Sequence, residues 1–412
     1  MPERILTPPP DKSISHRALI LSAIASEPCC IRNPNKGLDV MATIDCLRAM
    51  GSEISSEDQQ LRVEPKSFIP PSRPLNCANS GTTMRLLLGL LSGTGIRAVL
   101  DGDESLRKRP MDGISEALCS AGAVILLSRG KYPPVEVVSG ITKDITWAAK
   151  SPSAQVKSGL LLAGLAGGRN LIFTEPVRTR DHTERLLRWL GEDITIGEQI
   201  RLRPTRPIPG FDLTVPGDPS SAAFLVAFRL MRKGPPLIIK GLCLNPTRMG
   251  LYEALVKMGA RLSWEVHSEG PEPVGDLLVE HSETLSGAEI GPDEAASAID
   301  ELTLLGVLAS ITDGIITVRG AEGLRSKESD RIALLVKNLR AQGAEAEEFP
   351  DGFRVKGPFR FRGGRFETQG DHRLAMGFAV ACSAFGVDFQ LDHPSAPEIS
   401  YPGFYEDIRR LV

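Results

Sequence analysis

Lys12 and Ser13, with Arg17 one turn later in PPDKSISHRALIL, bring two cations and a hydroxyl to a predicted helix opening. Asn79-Ser80-Gly81-Thr82-Thr83-Met84-Arg85 is a turn of small residues running into another helix, and Gly81, lacking a Cβ, lets an anion approach the backbone N–H groups. Leu106-Arg107-Lys108-Arg109-Pro110 stacks three cations that repel one another unless solvent or an anion stands between them. Lys327-Glu328-Ser329-Asp330-Arg331 and Asp371-His372-Arg373 open further helices, with Ser329 or Asp330 capping the first and Asp371 the second. Asp300 falls in SAIDELTLLGVLA, an apolar stretch read as one helix, where a carboxylate is costly unless it is paired or stands at the mouth of a site. Each motif alone is also what a solvated face or a capped helix end looks like. Five cation-bearing helix openings in one chain point instead to a site for a multiply anionic ligand, because helix N-termini add unpaired N–H groups and partial positive charge to the side chains. None of these turns has the G-x-x-x-x-G-K-[ST] pattern, so nucleotide hydrolysis is not supported.

Two interleaved themes position these residues. A polar helix ending in glycine recurs at Gly51, Gly122, Gly191, Gly259 and Gly343, and alternating segments such as AVILL and ARLSWEV follow as predicted strands. A more apolar helix, opened by small polar residues, starts at Ser13, Asn79, Ser151, Asp218, Ser297 and Asp371. Both themes repeat about every seventy residues. This predicts an α/β chain of six βαβαββ units, three in each of two lobes. The Pro-rich start and the segment Thr214-Val215-Pro216-Gly217-Asp218 are the candidate crossings.

Composition bounds the ligand. Lys and Arg number 48 and Asp and Glu 51, so there is no global basic field for nucleic acid or anionic lipid, and positive charge must be concentrated locally. Apolar residues make up 42% of the 412, as in a globular chain of two domains. No apolar run reaches the ~20 residues of a bilayer span, and the first residues have no apolar core of a secretory leader. Seven cysteines, an odd number without C-x-x-C, predict reduced thiols and a cytoplasmic chain, and six scattered histidines without H-E-x-x-H predict no resident metal.

PPDKSISHRALIL, NSGTTMR, LRKRPM, SAQVKSGLLLAGL, TRDHTE, DPSSAAF, KESDR and DHRLAMGFAVA occur in the order, and over nearly the whole length, of the 5-enolpyruvylshikimate-3-phosphate synthase family, which the sequence resembles. The resemblance implies a two-domain inside-out α/β barrel with buried parallel helices. Residues 13–216 would form one lobe and 1–12 with 217–412 the other, with the site in the cleft between them. It implies transfer of the enolpyruvyl group of phosphoenolpyruvate to the 5-hydroxyl of shikimate 3-phosphate, without cofactor, by a cytoplasmic monomer that binds neither nucleic acid nor membrane. By motif position, Asp300 resembles the base, and Glu328 and Lys12 the proton-transfer partners. Shikimate 3-phosphate would meet Lys12, Ser13, Arg17 and Asp300, with Ser153, Ala154, Gln155, Thr179, Arg180 and Lys327 around its phosphate. Phosphoenolpyruvate would meet Lys12, Gly81, Arg109 and Gln155 at its phosphate and Arg331 and Arg373 at its carboxylate, with Arg85 at the rim. The sequence departs from the family pattern at three positions: Ala154 replaces a second Ser, Leu86 stands where many members carry Pro, and Ile399 where many carry Lys. Two other functions compete. Enolpyruvyl transfer to UDP-N-acetylglucosamine is disfavoured because no Cys sits in a Gly-flanked basic loop. A catalytically dead anion binder is disfavoured because Lys12, Asp300, Glu328 and Arg373 are all present.

Overall fold

Parallel neighbouring strands need a crossover between them, and the apolar helices supply it. The computed structural model describes residues 4–205 and 207–412. The chain divides into two units, Pro10–Val215 and Met1–Pro9 with Pro216–Val412. Residues 10–12 belong with the former rather than with the other lobe as expected: Asp11 caps the helix Lys12–Ala23, and the Pro10 carbonyl accepts from the Asn35 amide.

The unit Pro10–Val215 holds three four-stranded sheets. In the second, Leu75–Asn76 pairs parallel with Ala98–Asp101 across the helix Gly81–Thr94, and antiparallel strands Tyr132–Ser139 and Val124–Ser128 complete the sheet. In the third, Ile145–Ala148 and Leu171–Thr174 flank the helix Ala154–Gly167. The first sheet borrows its edge strand, Asp212–Thr214, from the far end of the unit, where it lies parallel to Cys29–Arg32. The helices Gly81–Thr94 and Ala154–Gly167 press backbone to backbone: a Cβ on Gly89 would stand 2.0 Å from the Gly159 carbonyl oxygen.

The other unit repeats the scheme. Arg4–Leu6 is the parallel edge of the sheet with Leu237–Cys243, Val274–Val279 and Leu262–Ser268, and Leu285–Ile290 is the edge of the next. Three buried helices, Pro219–Met231, Leu302–Leu308 and His372–Phe385, pack on one another. The expected α/β repeats around buried helices are seen in both units, the last of them shortened. The sixth has only Gly364–Phe366 and Phe389–Leu391 with the helices His372–Phe385 and Phe404–Leu411, so its last two strands are missing among the described residues. No helix of the described residues is long and apolar enough to cross a membrane.

Candidate active site

In the unit Pro10–Val215 the candidates sit on three helix openings. Asp11 accepts from the Ile14 N–H at 2.8 Å and starts the first, so Lys12 is its first residue; the Lys12 ammonium lies 2.8 Å from Asp39 Oδ2. Ser13 is half-buried beside it. Arg17, 3% exposed, donates to the Ser13 carbonyl, to Ser158 Oγ and to Thr183 Oγ1, each at 2.8 Å, and so ties three helices together.

Ser80 caps the second opening by accepting from the Thr83 N–H at 3.1 Å. Gly81 lies beneath two guanidinium groups: a Cβ there would be 2.8 Å from Arg85 Nη1 and 3.3 Å from Arg109 Nη1. Arg109 donates to Asn79 Oδ1 at 2.8 Å. Arg85 donates to Gln155 Oε1 at 2.6 Å and to the Pro110 carbonyl at 3.0 Å, while Gln155 Nε2 donates to Thr82 Oγ1 at 2.8 Å. Gly81, Arg85, Arg109 and Gln155 thus form one cluster. Leu86 is fully buried below it. Ser153 caps the third opening and Ala154 is its first helical residue, with Thr179 anchored to Glu175 at 2.6 Å and Arg180 next in the chain.

A buried chain of hydroxyls links the first two openings. His16 Nδ1 is 2.7 Å from Thr43 Oγ1, which is 2.8 Å from Thr83 Oγ1, and Thr83 reaches the Asp39 carbonyl at 3.2 Å. Burial, reinforced by the charges of Lys12 and Arg17, holds the His16 pKa well below its ordinary 6.5, so the ring is neutral.

In the unit that ends at Val412, Asp300 is not inside a helix. The stretch breaks into Pro292–Ser297 and Leu302–Leu308 with a turn between them. The turn takes Asp300 off the apolar face and leaves its side chain 16% exposed; Lys327 Nζ stands 3.4 Å from Oδ1 and Arg331 Nη1 3.6 Å. Asp330, rather than Ser329, caps the helix Arg331–Ala341. Arg331, 1% exposed, also meets Glu328 at 2.5 Å and Asp371 at 2.7 Å. Burial works against its charge, but Asp371, Glu328 and Asp300 outweigh that and push its pKa up. Asp371 caps the helix that carries Arg373, whose Nη1 is 3.6 Å from Glu301 Oε1; Glu301 accepts from Ser220, and Ser220 from Arg248 at 2.7 Å. Ile399 is half-buried at the end of the short helix Ala396–Ile399.

Sequence reasoning passed over Asp39, Glu301 and the second role of Asp371. Asp39 reads as ordinary first-turn charge on the helix Leu38–Ala49, and Glu301 as a fraying turn; only folding shows that each faces a cation. Among the described residues, no group of three His, Cys, Asp or Glu side chains is placed to hold a metal ion.

The family described as EPSP synthase (3-phosphoshikimate 1-carboxyvinyltransferase) matches residues 3–408. A 3-phosphoshikimate 1-carboxyvinyltransferase of Thermotoga neapolitana is 42% identical over 100% of this chain and 97% of its own length, and one of Aquifex aeolicus is 40% identical over 98% and 96%. The solved EPSP synthase of Acinetobacter baumannii superposes with a TM-score of 0.83 at 35% identity, covering 99% of this chain and 95% of that one. The enolpyruvyl transferase NikO of Streptomyces tendae shares the fold, with a TM-score of 0.77 at 17% identity over 100% of this chain and 94% of its own. With its motifs in order and its length matched almost end to end, the chain belongs to the EPSP synthase family.

Proposed function

We infer that this chain transfers the enolpyruvyl group of phosphoenolpyruvate to the 5-hydroxyl of shikimate 3-phosphate and releases phosphate. The observation that carries the chemistry is Asp300, a carboxylate outside any helix, with Lys327 and Arg331 both facing it. Asp300 takes the proton of the 5-hydroxyl as its oxygen attacks C2 of phosphoenolpyruvate. Glu328 and Lys12 deliver a proton to the methylene carbon and remove one again when the tetrahedral ketal expels phosphate. Gly81, Arg109, Gln155 and Lys12 hold the phosphate of phosphoenolpyruvate. Arg331 and Arg373 hold its carboxylate, and the acids around each guanidinium fix it in advance. Shikimate 3-phosphate binds through Lys12, Ser13 and Arg17, and its phosphate through Ser153, the Ala154 N–H, Gln155, Arg180 and Lys327. The full-length likeness to 3-phosphoshikimate 1-carboxyvinyltransferases supports this reading. The protein works as a cytoplasmic monomer without a cofactor.

Phosphate release measured with phosphoenolpyruvate and either shikimate 3-phosphate or UDP-N-acetylglucosamine tests it. Turnover with shikimate 3-phosphate alone is expected. Turnover only with the nucleotide sugar, or binding without turnover, overturns it.

A further inference from the structure

The helix Ala154–Gly167 is apolar and buried, yet Lys157 sits in its first turn at 1% exposure. A buried ammonium persists only where acceptors meet it. Lys157 Nζ lies 2.8 Å from Glu184 Oε1 and 3.0 Å from Glu175 Oε1, and donates to the Thr179 carbonyl at 3.3 Å. The ammonium donates to Glu175 and Thr179 and forms an ion pair with Glu184. Glu175 in turn accepts from the Thr179 N–H at 3.2 Å and from its hydroxyl at 2.6 Å. Thr179 is thus held at its N–H, its O–H and its C=O by Lys157 and Glu175. With both hydrogens directed at Glu175, it has no donor left for a phosphate.

The clamp has a direction. On the helix side, the Lys157 N–H bonds the Ser153 carbonyl at 3.1 Å, so the ammonium is one turn from the Ser153-Ala154-Gln155 opening. On the loop side it fixes the residue immediately before Arg180. A second tie runs alongside: Ser158, next to Lys157, and Thr183, next to Glu184, share a 2.8 Å bond and both accept from Arg17.

We propose that Lys157 is a positioning residue for the phosphate of shikimate 3-phosphate, setting Arg180 against the Ser153–Gln155 opening through Glu175 and Thr179, with Thr179 part of this clamp rather than a phosphate ligand. The proposal rests on the function given above. Two stretches held in place before the ligand arrives lose less conformational freedom on binding, and affinity for that ligand alone gains.

The test is steady-state kinetics in both substrates, with thermal melting of each variant. Lys157→Met combined with Glu184→Gln, which removes the buried charge pair together, is expected to raise the KM for shikimate 3-phosphate about tenfold or more, while the KM for phosphoenolpyruvate and kcat stay within about twofold. Thr179→Val is expected to do the same to a smaller degree, and Thr179→Ser, which keeps the hydroxyl, to restore the wild-type KM. An unchanged KM for shikimate 3-phosphate in both the double variant and Thr179→Val overturns the proposal, as does an equal rise in both KM values. If the double variant does not fold, the Val and Ser pair decides. Failure of the functional reading looks different: the unmodified protein itself then neither turns over nor binds shikimate 3-phosphate, and the clamp falls with it.

Discussion

Arg85 and Arg109 in the unit Pro10–Val215 donate to neutral groups, among them the Gln155 and Asn79 side-chain amides, the Ser105 hydroxyl and the Pro110 carbonyl. Arg331 in the other unit faces three carboxylates, and Arg373 faces Glu301. A neutral acceptor orients a guanidinium without cancelling its charge, whereas a carboxylate cancels the charge and couples the arginine to groups that can carry protons. The difference suits these arginines to different tasks. The first arrangement suits holding a phosphate through the whole reaction. The second suits acids and bases whose protons move while the charges around them stay fixed.

Removing one carboxylate should break that contrast most severely. Asp300→Asn keeps the shape and the contacts to Lys327 and Arg331 but cannot take a proton. A fall in kcat of about 10²–10⁴ is expected, with both KM values changed far less. Phosphate release at saturating substrates checks it, and a kcat within about tenfold of wild type assigns the base elsewhere.

On the phosphate-holding side the effect should appear in KM. Arg109→Ala removes a charged donor, worth about 1.5–3 kcal/mol, so the KM for phosphoenolpyruvate should rise about ten- to a hundredfold while the melting temperature moves little. An unchanged KM removes Arg109 from the phosphate. Gly81→Ala sharpens the same point. Its Cβ would intrude on Arg85 Nη1 at 2.8 Å and on Arg109 Nη1 at 3.3 Å, both ends of flexible side chains. They can move aside, so a several-fold rise in the KM for phosphoenolpyruvate is expected, with kcat within about twofold. Equal effects on both substrates would mean that the turn has been distorted as a whole.

How much of this could be read beforehand depends on whether the cause is local. The five repeat glycines, Gly51, Gly122, Gly191, Gly259 and Gly343, all have positive φ, from 83° to 97°, as their helix-ending positions require. Ser80, Ser153, Asp218 and Asp371 cap the helices that their sequence neighbours announce. These signals lie within a few residues of their effect. The break before Leu302 escaped because an apolar run looks alike as one helix or as two with a turn between, and the turn is what gives Asp300 its place. Lys157 escaped for another reason. Its acceptors are 18 and 27 residues further along the chain and meet it only once the third sheet has formed, so nothing in VKSGLLL marks the lysine as paired.

The smallest expected effect concerns the hydroxyl chain behind Lys12, where the two openings of the phosphate-holding unit are joined by a neutral ring. His16 has a folded pKa below the 6.5 of the unfolded chain, so below that pH the unfolded state binds a proton that the folded state refuses. The stability that follows from keeping this ring neutral is complete above pH 6.5 and drains away as the pH falls, by up to about 1.4 kcal/mol per pH unit while the folded ring stays unprotonated. His16→Gln cannot titrate, and its amide can still donate to Thr43. Its denaturant midpoint should therefore lose less than that of the wild type between neutral pH and pH 5, even if it starts lower. Chemical denaturation of both proteins across that range measures the slope directly. Parallel slopes would show that His16 takes up its proton in the fold, which needs an acceptor or water at Nε2, an atom that is fully buried without a hydrogen-bond partner among the described residues. The joint between the Lys12 and Gly81 openings would then be a charged one.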